Sequence, residues 1–109
     1  MANLKNWLLN EAAGEDIEAV VIGQKGGVCF SFETDLVPRD MQERILSWDE
    51  ASPLLDYAFD NSYGSAGCSA VYAWTATRVI AISTYDGSTG VYSIPRNPAA
   101  VLPQMVGGG

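Results

Sequence analysis

The run Ala70-Val71-Tyr72-Ala73-Trp74-Thr75-Ala76-Thr77-Arg78-Val79-Ile80-Ala81-Ile82-Ser83-Thr84-Tyr85-Asp86-Gly87-Ser88-Thr89-Gly90-Val91-Tyr92-Ser93-Ile94 decides the fold. It divides into Ala70–Trp74, Arg78–Tyr85 and Ser88–Ile94, each rich in the β-branched and aromatic residues that pack well on a pleated surface. Asp86-Gly87 between the second and third has the composition of a two-residue type I′ turn, because both central positions of that turn need positive φ. Only Arg78 and Asp86 carry charge in this stretch. A strand with one wet face alternates apolar and polar residues. Here Val79, Ala81 and Tyr85 point one way while Ile80 and Ile82 point the other. Val71 likewise opposes Tyr72 and Trp74, and Val91 opposes Tyr92 and Ile94. Both faces of the predicted sheet therefore require a cover: helices from the first sixty residues for one, and for the other either the amino-terminal hairpin, curling into a small barrel, or another protein molecule.

Upstream, Leu4, Trp7 and Leu8 follow the i, i+3, i+4 spacing of a short amphipathic helix over Asn3 to Ala12, capped by Asn3 and ended by Gly14. Ile17–Gly23 reads as a strand, Gln24-Lys25-Gly26-Gly27 as a turn, and Val28–Glu33 as the returning strand of a hairpin. Pro38 suits a first helical turn, after which Val37, Met41, Ile45 and Trp48 share a face. Two helix starts then compete. Ser47-Trp48-Asp49-Glu50 fits a capping box, and Ser52-Pro53 fits an N-cap followed by proline at N1. Proline deep in a helix loses a hydrogen bond and clashes, so the expectation is a short turn followed by a helix from Pro53 to about Phe59. Asn61–Ser69 reads as a loop. Pro95-Arg96-Asn97-Pro98 stops the last strand.

The predicted class is α+β: a mainly antiparallel sheet of about five strands in two hairpins, an N-terminal helix, and one or two short middle helices. A small SH3- or Sm-like barrel with a helical insertion is the alternative. Residues 1–98 form one domain and 99–109 a tail, since 109 residues suffice for one core and not two.

Charge is placed unevenly. Twelve acids and four bases precede residue 61, and the whole chain carries −7. Six bases with no basic cluster disfavour nucleic acid, whose affinity comes from displacing counterions with Lys and Arg. The acids keep the fold soluble or face a basic protein partner. The opening residues lack a secretory pattern and no run approaches a membrane span, so the expected compartment is the cytoplasm. Cys29 and Cys68 have no metal-type spacing and read as buried thiols.

The chain has no histidine, which removes Ser-His-Asp and Cys-His dyads and histidine-bearing zinc sites. Gly23 to Gly27 lacks the following Lys-Ser/Thr of a phosphate loop. Asp56 and Asp60, one helical turn apart, are the candidate acidic cluster for acid/base or cation chemistry; a solvated helix end is the simpler explanation. For ligand or partner binding the candidates are Trp74, the hairpin tip with Tyr85, Asp86 and Ser88, and Arg96 held between two prolines. Arg96 could equally be spent on an internal ion pair. No cofactor or metal is implied. The expectation is a non-catalytic, acidic interaction protein: an inhibitor, adaptor or assembly component of the sort small phage or accessory genes encode. It would self-associate as a homo-oligomer through an apolar sheet face. The alternative is a small-ligand binder with a pocket at the Tyr85–Thr89 and Arg96 loops.

Overall fold

The computed structural model describes residues 2–25, 37–59, 67–85, 88–103 and 105. Among the described residues, six antiparallel strands and two α-helices make an α+β fold. In chain order the elements are β1 (Ala2–Asn3), α1 (Leu4–Ala12), β2 (Ala19–Lys25), a 3₁₀ turn (Arg39–Met41), α2 (Trp48–Leu55), β3 (Ala58–Phe59), β4 (Ser69–Trp74), β5 (Arg78–Tyr85) and β6 (Ser88–Pro95). β2, β4, β5 and β6 form a four-stranded sheet in that order, while β1 and β3 form a two-stranded ribbon. The β5–β6 ladder runs from Arg78 opposite Pro95 to Tyr85 opposite Ser88, the register the Asp86-Gly87 reading requires. Asp86 and Gly87 themselves, like the expected strand Val28–Glu33, lie outside the described residues.

α1 forms where the apolar spacing placed it. Asn3 caps it, accepting a hydrogen bond from the Asn6 backbone N–H at 3.0 Å, and buries Leu4, Leu8 and Ala12. Ala13, at φ 53°, and Gly14, at φ 89°, turn the chain out of the helix. The core consists of one face of the large sheet, with Val20, Ile22, Val71, Ala73 and Ile80, against α1 and α2, which supply Leu4, Leu8, Ala51 and Leu55.

Three expectations are corrected. The second helix starts at Trp48, because the capping box is made: the Ser47 hydroxyl accepts from the Glu50 N–H (3.1 Å), and the Glu50 carboxylate accepts from the Ser47 N–H (3.0 Å). Pro53 therefore sits inside the helix. The hydrogen bond it cannot donate would have ended on Asp49, an exposed residue in the first turn whose carbonyl water can serve. Secondly, Phe59 is in strand β3, opposite Ala2, and its ring meets Trp7 edge-on at a centroid distance of 5.1 Å. Thirdly, the stretch after Pro38 yields only the 3₁₀ turn, and Ile45 is 81% exposed while Leu46 is buried. Leu46 wins because its backbone extends the sheet, exchanging both hydrogen bonds with Val20 at 2.8 and 2.9 Å.

Polar clamps fix α1 to the sheet. Glu15 Oε1 accepts from the Thr75 hydroxyl and Oε2 from the Thr77 hydroxyl, both at 2.6 Å. The Arg78 guanidinium donates to the Glu11 carbonyl (3.0 Å) and the Ser93 hydroxyl to the Glu11 carboxylate (2.8 Å). Residues 98–103 follow without regular structure, exposed to solvent.

Candidate interaction surface

Strand alternation assigns the side chains that are not in the core. The face of the sheet turned away from α1, the outer face, is built in rows across the strands. Val21, Tyr72, Ala81 and Tyr92 are consecutive partners in the registers of β2, β4, β5 and β6. The row below holds Ala19, Trp74, Val79 and Ile94. The row above is small: a Cβ on Gly23 would lie 3.4 Å from that of Ala70, and Ser83 stands opposite Gly90.

None of these residues is Asp, Glu, Lys, Arg or His, and none belongs to the buried core shared by the two helices. Tyr72 is 58% exposed and Ile94 54%. Ala81 is buried, set in its row between two tyrosines. The Tyr72 and Trp74 rings meet edge-on at 6.3 Å, an arrangement that holds both against the strand rather than loose in water. At the small-row end lies a hollow of about 230 Å³ lined by Val21, Ile22, Gly23, Ala70, Val71, Tyr72 and Ile82, with the charged residue Glu43 also in its wall.

Trp74 is thus on the outer face, one of the candidates named from sequence. The others are not gathered around it. Ser88 opens β6 and Arg96 follows its end, so they sit roughly 25 Å apart along an extended strand. Asp86 lies outside the described residues, and Tyr85 is placed only through its pairing with Ser88. Arg96 turns inward: its guanidinium donates to Glu18 Oε1 and to the Thr75 carbonyl, both at 2.7 Å. Asp56 accepts from the Asn3 side-chain amide at 2.9 Å, joining the start of α1 to the end of α2. Asp60 lies outside the described residues. No group of three or more potential metal ligands occurs among the described residues.

Electrostatically the two sides of the molecule differ. The hydroxyls of Thr75 and then Thr77 hold the Glu15 carboxyl below its usual range, and the Ser47 backbone N–H and hydroxyl do the same for Glu50. Burial pushes the Cys68 thiol up to about 11, which leaves almost no thiolate near neutrality and makes it an unreactive core residue. A shallow depression of about 380 Å³ beside α2 carries Asp16, Asp49 and the partly buried Trp48.

Of the residues in these rows, only Trp74 was a binding candidate from sequence; Tyr72, Val79, Ala81, Tyr92 and Ile94 were read there only as apolar strand positions, and Val21 only as part of a strand. The signal of Val21, Tyr72 and Tyr92 was present in the alternation, since each is the outward neighbour of a core residue, but only the registers bring them into one row. No helix among the described residues is long and apolar enough to cross a membrane. Comparison with known proteins finds no matching family model, no similar curated protein and no similar solved structure.

Proposed function

We propose that this chain is a non-catalytic interaction protein of the cytoplasm that self-associates through the outer face of its sheet and turns its acidic surface toward a basic protein partner. One observation carries the reading: in a chain of net charge −7, the three outer-face rows given above hold no charged residue, and two of their members, Tyr72 and Ile94, are more than half exposed. An apolar face of this kind costs solubility unless it is covered, and patches of a few hundred Å² are the size at which association begins. The acids concentrate in the first sixty residues, and Asp16 and Asp49 flank a depression on the helical side. That segregation leaves the acidic side available when the apolar side is occupied.

Light scattering on the purified chain, from low to high micromolar concentration, tests the first half. A rising weight-average mass is expected, and a constant monomer mass would overturn it. The second half predicts that a captured basic partner is released as ionic strength rises, because exposed charge pairs are screened within about 8 Å at physiological salt. Retention unaltered by salt would show that the acids do not make the contact.

A further inference from the structure

Resting on the basic-partner half of that reading, we propose that the partner docks as an extended strand in the groove between the edge of β6 and the tail. A lysine or arginine of that strand, opposite Ser93, pairs with Glu11.

The groove is a void of about 430 Å³. Residues 91–95 of β6 and residues 101–103 of the tail line it, together with Glu11 of α1. Successive side chains of a strand leave by opposite faces, so a cavity lined by five consecutive strand residues runs along the strand's edge. Among the described residues β6 is the outermost strand of its sheet. Just past it, the Arg96 N–H donates back to the Thr77 carbonyl at 3.0 Å, on the β5 side. Alternation from that point directs the backbone groups of Ile94 and Tyr92 to β5, and those of Ser93 and Val91 into the groove. Pro95 obeys the same alternation, because the N–H it lacks would point outward. Val91 and Ser93 thus present two N–H and two C=O groups to an added strand, the main-chain part of β-strand addition. A residue in a packed sheet takes roughly 160 Å³, from a rise of about 3.4 Å, a strand spacing of about 4.8 Å and a depth of about 10 Å. The groove therefore admits about three residues, opposite Tyr92, Ser93 and Ile94.

Charge selects the occupant. Glu11 is the only charged residue in the lining, and neither ion pair among the described residues includes it. Its carboxylate accepts from the Ser93 hydroxyl at 2.8 Å. Arg78 donates to the Glu11 carbonyl, but its ion pair is with Glu15. Side chains directly opposite each other on paired strands share a face. A residue opposite Ser93 therefore projects toward Glu11, while its two neighbours fall beside Tyr92 and Ile94 on the outer face. The segment that fits alternates a cation with apolar residues. This chain does not supply one: Ser88–Pro95 and residues 97–109 contain no Lys or Arg, and a second copy's β6 would bring its own Glu11 toward the first.

The test is titration of the full chain, at low ionic strength, with a capped seven-residue peptide alternating lysine and valine, followed by backbone amide NMR. The peptide should shift the Val91 and Ser93 amides and slow their exchange with solvent. A version with glutamate for lysine should not bind. Two further versions are N-methylated at alternate residues, one at the lysines and one at the valines. One of them should bind about tenfold more weakly and the other like the parent, because an added strand turns only one set of its N–H groups toward β6. Glu11→Gln keeps an acceptor for Ser93 and should weaken binding about fivefold, with a thermal melt confirming that the variant folds.

Binding that shifts only amides outside the groove, N-methylated versions that both bind like the parent, or an affinity unchanged by Glu11→Gln would overturn strand docking and leave the basic partner standing. Failure of every lysine peptide to bind would overturn both.

Discussion

Glu15 shows how much a single partly buried carboxylate can organise. It lies just past α1, yet two threonine hydroxyls at 2.6 Å tie it to the turn between β4 and β5, with Arg78 3.9 Å away. Its pKa is depressed in the folded chain from a usual value near 4.5, so its contribution is present above that value and lost as pH falls through the depressed one. Glu15→Gln should therefore lower the melting temperature at neutral pH and flatten its fall on acidification, read by thermal melts between about pH 7 and about pH 3. Thr75→Val removes a buried hydroxyl that also accepts from the Arg78 N–H, and should cost about 1–2 kcal/mol in urea denaturation. Neighbouring residues can differ sharply in the same assay. Leu46→Ala should cost about 2–4 kcal/mol, whereas Ile45→Ala should be nearly silent, because the first is buried and the second 81% exposed. Sequence spacing pointed to Ile45. It had no means of registering that residues 43–46 would hydrogen-bond along β2, with the Glu43 N–H donating to the Ile22 carbonyl at 2.9 Å, and so turn Leu46 inward.

At the scale of elements, α2 balances a strong start against an internal proline. Its capping box satisfies two backbone donors and its first turn carries Asp49 and Glu50, both favourable near the positive end of the helix dipole. Ser47→Ala should destabilise the chain by about 1 kcal/mol. Pro53→Ala should stabilise it by about 1 kcal/mol or more, since the restored hydrogen bond outweighs the extra freedom given to the unfolded chain. Equal denaturation midpoints for the Pro53 variant and the wild type would show that the helix has already relaxed around the ring. Both candidate starts were legible in the sequence. The choice between them depended on packing, because starting at Trp48 places Ala51 and Leu55 in the core and frees Tyr57–Phe59 to leave the helix. The two-residue ribbon β1–β3 was beyond reach of any local pattern, as its partners are more than fifty positions apart.

For the molecule as a whole, the separation of charge from apolar surface makes a prediction opposite in sign to that for a charge-captured partner. In the self-association proposed above, two copies of a −7 chain repel at long range while the outer-face rows that meet carry no charged residue. Added salt screens the repulsion and leaves the contact intact, so self-association should tighten as ionic strength rises. Sedimentation at low and high salt checks this, and a dimer that dissociates on adding salt would place charged groups in the contact.

Composition and alternation alone determined that the C-terminal strands are apolar on both sides, that α1 is amphipathic, and that histidine-dependent chemistry is absent, because these are properties of residue type and of spacing within one element. Tertiary structure decided which sheet face the helices cover, where α2 begins, and that Arg96 is held by Glu18 instead of standing beside the hairpin tip. Those outcomes depend on contacts between segments far apart in the chain, where competing local preferences of similar strength are resolved by which arrangement buries more apolar surface and leaves fewer polar groups unpaired.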